Sequence, residues 1–193
     1  MTDAVKRDVP TSEQFAAELK RIRYRKDYRK MLASTLSSLL VVAAIAVLIS
    51  MLFLPVLRVT GSSMTPTLLN DELVICNKRS NFQSGDIVAF YFNNKILLKR
   101  VIGTAGDVID IKDDGTVYLN GELLDEPYLT EQAFGNCDIE LPYQVPENRI
   151  FVMGDHRETS IDSRSTTVGC VAYEYIIGKV ILRIWPFRTI STF

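Results

Sequence analysis

"KILLKRVIGTAGDVIDIKDDGTVYLNGELL", residues 95–124, holds strand-like runs at 95–103, 107–112, 116–119 and 122–124, with turn residues between them. Within these runs apolar side chains are continuous or alternate, the pattern of a pleated chain with one or both faces buried. Asn120-Gly121, between "TVYL" and "ELL", suits a two-residue hairpin whose central positions need positive φ. Similar runs lie on either side: "ELVIC" (72–76), "DIVAFYF" (86–92), "RIFVM" (149–153) and "GKVILRIW" (178–185). Sustained helical periodicity is absent after Leu57. Residues 58–193 are therefore predicted to form one all-β domain with coil-rich connections, above all around 125–148.

The segment ahead of this domain is of another kind. Met31 to Leu57, "MLASTLSSLLVVAAIAVLISMLFLPVL", carries no formal charge. At about 1.5 Å per residue, some twenty of these positions cross a hydrocarbon core roughly 30 Å thick. A transmembrane α-helix, serving as a signal anchor, is predicted over 31–57. Its polar residues are serines and a threonine, which can bond back to their own helix, and Pro55 lies near the far end, where a break costs little. The run is longer than a core helix requires, and its polar leader of 30 residues is atypical of a removable signal.

Overall charge excludes little, since a net charge of -1 gives no reason to expect nucleic acid as a partner. Locally the balance fails: Lys20, Arg21, Arg23, Arg25, Lys26, Arg29 and Lys30 crowd against the apolar run. Basic flanks stay in the cytoplasm, so residues 1–30 are placed inside the cell and 58–193 outside it, with anionic membrane lipid as a partner of the cluster. The resulting localisation is the cell membrane, single-pass. The first 19 residues are expected to be loosely ordered.

Cys76, Cys137 and Cys170 are well separated, with no C-x-x-C pair, and His156 is the single histidine. No zinc site is expected from that spacing. An exported domain permits a disulfide, with Cys137 and Cys170 as one open pairing and Cys76 buried in its strand.

Nucleophile chemistry has few options here. "TGSSMTPTL" (60–68) joins the apolar run to the first strands, and a serine hydroxyl needs a base before it attacks anything. A His-dependent triad would have to use His156. A Ser-Lys pair needs an amine held uncharged. Alternation puts Lys99 on the face of Leu97 and Val101, and Arg100 with Leu98 and Ile102. If the Leu97 face is buried, the Lys99 pKa falls toward the range of a general base. Otherwise Lys99 and Arg100 bracket a strand edge and snorkel to water. "MGDHRETSIDSR" (153–164) adds Ser160, Asp162, Ser163 and Arg164, groups that could hydrogen-bond a buried amine, with a carboxylate two residues from an arginine suggesting an internal ion pair. Judged alone it is equally a solvated loop.

Taken in order after the apolar span, "GSSMTPTL", "SGDIVAF", "LLKRVIGTAGDVI" and "GDHRETSIDSR" resemble the sequence boxes of type I signal peptidases, and the likeness covers most of 31–187. The resemblance implies a membrane-bound serine endopeptidase that cleaves signal peptides from exported preproteins. It implies Ser63, not Ser62, as nucleophile and Lys99 as general base, with Ser160 orienting the amine and Asp162 and Arg164 holding the loop. Small side chains are expected at the first and third positions before the cut. Met64, Leu97 and Leu98 are expected at the substrate-binding surface, although the two leucines read equally well as sheet core. No metal or cofactor is implied. Two departures stand out: Gly61 replaces a serine that assists the oxyanion in some relatives, and His156 replaces a common asparagine, where it reads as structural. Two other classes compete. A cytosolic Ser-Lys autoprotease would carry a DNA-binding domain rather than a membrane span, and a non-catalytic relative serving as an assembly or chaperone module in surface-fibre export would lack Ser63 or Lys99.

Overall fold

The computed structural model describes residues 11–78 and 81–193. It divides into two units, one running to Ile49 and the other comprising Ser50–Phe193. The first holds most of α1, Ser12–Phe53, whose last turn belongs to the second; over Ser12–Leu48 this helix is exposed and long and apolar enough to cross a membrane.

α1 differs from the expected 31–57 at both ends. It starts within the segment expected to be loose: residues 12–19 are helical, while residues 1–10 lie outside the described part. The Gln14 side chain accepts the Thr11 N–H at 3.1 Å, half of a capping box, and Thr11 O accepts the first helical bond from Phe15 N at 3.0 Å. From there Glu, Ala, Leu, Lys and Arg, all strong helix formers, carry the helix through the basic cluster. At the other end Pro55 has no N–H to give and disfavours helical backbone at Leu54. The chain turns extended there, and Val56 and Leu57, expected to end the span, form strand β1, Val56–Arg58, with the residue that follows.

Among the described residues eleven further strands follow: β2 (Leu73–Asn77), β3 (Ile87–Phe92), β4 (Lys95–Gly103), β5 (Val108–Ile111), β6 (Val117–Leu119), β7 (Glu122–Leu123), β8 (Tyr143–Gln144), β9 (Arg149–Met153), β10 (Val171–Ala172), β11 (Ile176–Trp185) and β12 (Ser191–Thr192). The unit is thus a mostly β domain, with single 3-10 turns at Tyr173–Tyr175 and Phe187–Thr189. The larger sheet runs β1-β2-β11-β3-β4-β9-β10 with β12 beside β11, and a smaller one runs β7-β6-β5-β8. All pairings are antiparallel. Asn120 and Gly121 take φ of 54° and 84° and join β6 to β7 in the register Leu119↔Glu122. Asn93 and Asn94, at φ 45° and 60°, do the same between β3 and β4, where asparagine bears the left-handed backbone better than most residues.

β4 borders every part of the core. Leu98 packs on a cluster that includes Met64, Leu68, Ile87 and Ala89, whereas Leu97 and Val101 belong with Val88, Phe90, Ile150 and Val152. Ile102 reaches the third cluster, with Ile109 and Phe151. Cys76 is buried in β2, and Cys137 and Cys170 are free thiols, so the pairing left open is not formed.

Candidate active site

β3 pairs with β4 from Lys95 to Arg100, but β9 joins the other side only from Arg100 onward. Among the described residues the outer edge of Lys95–Lys99 therefore lacks a strand partner. β1, paired with β2 alone among the described residues, is an edge strand of the same sheet. A cleft of about 740 Å³ is lined by Val56–Gly61, Ser63 and Met64 on one wall and Asn94–Leu98 on the other.

The turn after β1 presents Ser63 to this cleft. Met64 and Leu68 are buried and pin the turn to the first apolar cluster, so Met64 reaches the cleft only as part of its wall. Thr65 N donates to Ser62 O at 3.0 Å and Leu68 N to Met64 O at 2.9 Å. Gly61, at φ +90°, donates its N–H to Asn70 Oδ1 at 2.9 Å. The Ser63 carbonyl accepts from the His156 N–H at 3.1 Å, and among the described residues no acceptor takes the Ser63 N–H.

Residues 154–164 form the loop that meets this turn. Gly154 sits so close that an added Cβ would lie 2.6 Å from the Ser63 carbonyl oxygen and press on the Ser160 side chain. Its N–H donates to Asp162 Oδ2 at 2.9 Å, and Ser160 N donates to His156 O at 3.1 Å. Arg164, fully buried, binds Asp162 through Nε and Nη2 at 2.9 Å each and donates to the carbonyls of Phe134 and Arg157. Burial pushes the Asp162 carboxyl up, but the hydrogen bonds and charge of Arg164 and the Gly154 N–H outweigh it and hold the group below the usual range.

Lys99 is 2% exposed, which excludes the snorkelling alternative, and its Nζ donates to Ser160 Oγ at 3.0 Å. Burial lowers its pKa from 10.5 to about 8, with Asp162 and Asp155 pulling the other way and Arg164 adding to the fall. Ser63, Lys99, Ser160, Asp162 and Arg164 thus stand on three segments joined by hydrogen bonds, and Leu97 and Leu98 line the cleft beside them. His156 contributes its backbone, while its ring Nδ1 faces Thr159 Oγ1.

A second set of buried charges escaped the sequence reading. Arg100 binds Asp155 through Nε at 2.9 Å and Nη2 at 2.6 Å, and also reaches Gly85 O and Thr67 Oγ1. Arg157 pairs with Glu126, to which Tyr128 OH donates at 2.6 Å. Charged residues are seldom buried unless paired, so each reads as surface until its distant partner is known.

Comparison with known proteins fits this architecture. Residues 32–185 match the family model of signal peptidase, peptidase S26. Signal peptidase IB of Staphylococcus aureus (strain N315) is 34% identical over 179 residues, covering 82% of this chain and 92% of the relative. Signal peptidase I S of Bacillus subtilis (strain 168) is 34% identical over 173 residues, covering 83% and 92%. The crystal structure of a signal peptidase I from Enterococcus faecalis V583 covers 52% of this chain and 97% of its own, at 31% identity and a TM-score of 0.45. The chain belongs to the signal peptidase family, peptidase S26, and this homology supports hydrolysis of signal peptides. The apolar helix α1 fits a membrane anchor.

Proposed function

We propose that the chain is a membrane-anchored serine endopeptidase that removes signal peptides from exported preproteins with Ser63 as nucleophile and Lys99 as base. The observation that carries this reading is the state of Lys99: buried, brought to a pKa of about 8, and bonded to a serine whose loop also holds the Ser63 carbonyl. At pH 7 an amine of that pKa is about one-tenth neutral, against about three in ten thousand for a free lysine. Neutral Lys99 takes the Ser63 hydroxyl proton as Oγ attacks the scissile carbonyl. The Ser63 N–H is available to the resulting oxyanion. As the C–N bond breaks, the Lys99 ammonium returns its proton to the leaving amine, and an ester remains on Ser63. Lys99 then takes a proton from water as the water attacks the ester; the bond from the acyl carbon to Ser63 Oγ breaks, the ammonium returns its proton to that oxygen, and the signal fragment leaves with both residues restored.

The substrate is extended, adding its backbone to the unpaired edge of Lys95–Lys99. Leu97 and Leu98 leave room for small side chains before the cut. α1 keeps the domain at the bilayer, where preproteins are still tethered by their signal helices. The basic cluster holds the amino end of α1 in the cytoplasm and touches anionic lipid.

Preprotein cleavage by the detergent-solubilised chain tests the assignment directly. Ser63→Ala and Lys99→Ala are expected to abolish turnover, whereas His156→Ala keeps most of it, because His156 holds Ser63 through its backbone. Activity surviving in either of the first two, or lost only in the third, would overturn the reading.

A further inference from the structure

Between β7 and β8 the chain leaves the small sheet and sends Glu126 and Tyr128 into the buried charges beside the cleft. The Arg100 guanidinium lies over the Tyr128 ring, 3.7 Å from its centroid. Along its edges that guanidinium is committed to Gly85 O, Thr67 Oγ1 and both oxygens of Asp155. A planar cation bonded around its rim leaves its faces for stacking. These contacts tie together three segments: Arg100 adjoins Lys99 on β4, Thr67 belongs to the turn of Ser63, and Asp155 opens the loop of Ser160.

The ring is itself fixed. Tyr128 OH donates to Glu126 Oε1 at 2.6 Å, and burial, with the nearby Glu126 charge, pushes the phenol pKa upward, so the hydroxyl remains a donor. Glu126 accepts both terminal nitrogens of Arg157, and Arg157 Nε reaches the Gly154 carbonyl at 3.2 Å. Tyr128 is therefore anchored to the loop that it helps to hold.

We propose that Tyr128 is a positioning residue for the cleavage reaction: its ring, locked by Glu126 and Arg157, caps Arg100 and sets the Lys99 strand, the Ser63 turn and the Ser160 loop against one another. This rests on the Ser63 and Lys99 assignment above. The ring attracts the guanidinium and keeps water from the Arg100–Asp155 pair. Without it the pair is hydrated, the Thr67 tether loosens and Lys99 regains solvent. The cleft is lined by other residues, so substrate binding is left alone.

The experiment compares wild type, Tyr128→Phe, Tyr128→Leu and Tyr128→Ala as full chains in detergent. Preprotein kcat and KM are measured from pH 6.5 to 10, with competent sites counted by a serine-acylating titrant. Per titrated site, kcat is expected to fall about tenfold or more in the Leu and Ala variants, with KM within about twofold and the acid limb moved to higher pH. Tyr128→Phe keeps the ring and is expected to stay within about threefold of wild type. An unchanged kcat per site in the Leu variant overturns the proposal. So does a Phe variant as impaired as the Ala variant, or a loss confined to KM or to the number of titratable sites, including their complete loss in both truncated variants. Ser63→Ala and Lys99→Ala run alongside: cleavage surviving in them defeats the Ser-Lys assignment, not the ring contact alone.

Discussion

The Lys99 amine donates a hydrogen bond to the Ser160 hydroxyl oxygen at 3.0 Å. A neutral amine has two N–H groups and one lone pair, so a bond that occupies an N–H leaves the lone pair free to accept a proton. The protonated amine has no such pair. Activity is therefore expected to rise with pH as Lys99 loses its proton, reaching half its plateau near pH 8, where burial has brought the group. Below that, kcat/KM falls about tenfold per pH unit. A profile with its acid limb near pH 6 would instead identify a histidine.

The same burial has a cost in stability. Folded Lys99 titrates near 8 and unfolded lysine near 10.5, so between these values the unfolded chain binds more protons and stability rises with pH. Below pH 8 the full penalty is present, about 3 kcal/mol at most from a shift of this size. Lys99→Met is expected to be inactive yet to melt higher than wild type at pH 7, with the difference shrinking as pH approaches 10.5. Melting of both proteins in detergent across this range checks it, and a variant less stable at pH 7 would refute the account of Lys99 burial.

Gly154 separates Ser63 from Ser160 with no room to spare. A methyl group there would stand 2.6 Å from the Ser63 carbonyl oxygen, on the side of the Ser160 hydroxyl. One of the two segments has to move, at about 1–3 kcal/mol. Gly154→Ala is expected to lower kcat by about a hundredfold while much of the folded structure remains, because displacements near 1 Å disrupt reacting geometry. Near-normal turnover by soluble, folded Gly154→Ala protein would show that the two serines need not be held at this spacing.

Asp162 offsets the Arg164 charge in a fully buried pair. Asp162→Asn leaves that guanidinium without its counter-charge and is expected to destabilise the domain by about 3–5 kcal/mol. Asp162 also raises the Lys99 pKa, so in the protein that still folds the acid limb should move to lower pH. Denaturant midpoints and pH profiles of the variant measure the two effects separately, and an upward move of the limb contradicts the electrostatics.

What the sequence revealed depended on how local the determinant was. β4 occupies 95–103 as its apolar pattern requires, and the Asn120-Gly121 hairpin follows from two adjacent residues. β1 was hidden because Val56 and Leu57 continue an apolar run and become strand only by pairing with β2. The amino-terminal part of α1 was hidden by its charge, which obscured strong helix formers. Lys99 and Ser160 were legible through ordered motifs, although 61 residues separate them. Arg100 with Asp155, and Glu126 with Arg157, were not, since a charged residue looks the same in sequence whether its partner is water or a carboxylate 55 or 31 positions away.

Leu98 provides the last test, because it faces two ways. It packs against the first apolar cluster and also forms part of the cleft wall, on the strand that carries Lys99. If substrate lies in this cleft, the bulk of Leu98 is expected to limit the side chain held beside Ser63. Leu98→Ala would widen the wall, at a stability cost toward the lower end of about 2–5 kcal/mol, since the side chain is only partly buried. Preproteins with valine or leucine at the first position before the cut, expected to be poor substrates for wild type, should gain about tenfold relative to the alanine substrate, because a methylene or two in a pocket is worth about that much. The measurement is the ratio of kcat/KM values for the paired substrates. A ratio unchanged by the substitution would leave Leu98 as sheet core alone and place the size limit elsewhere on the wall.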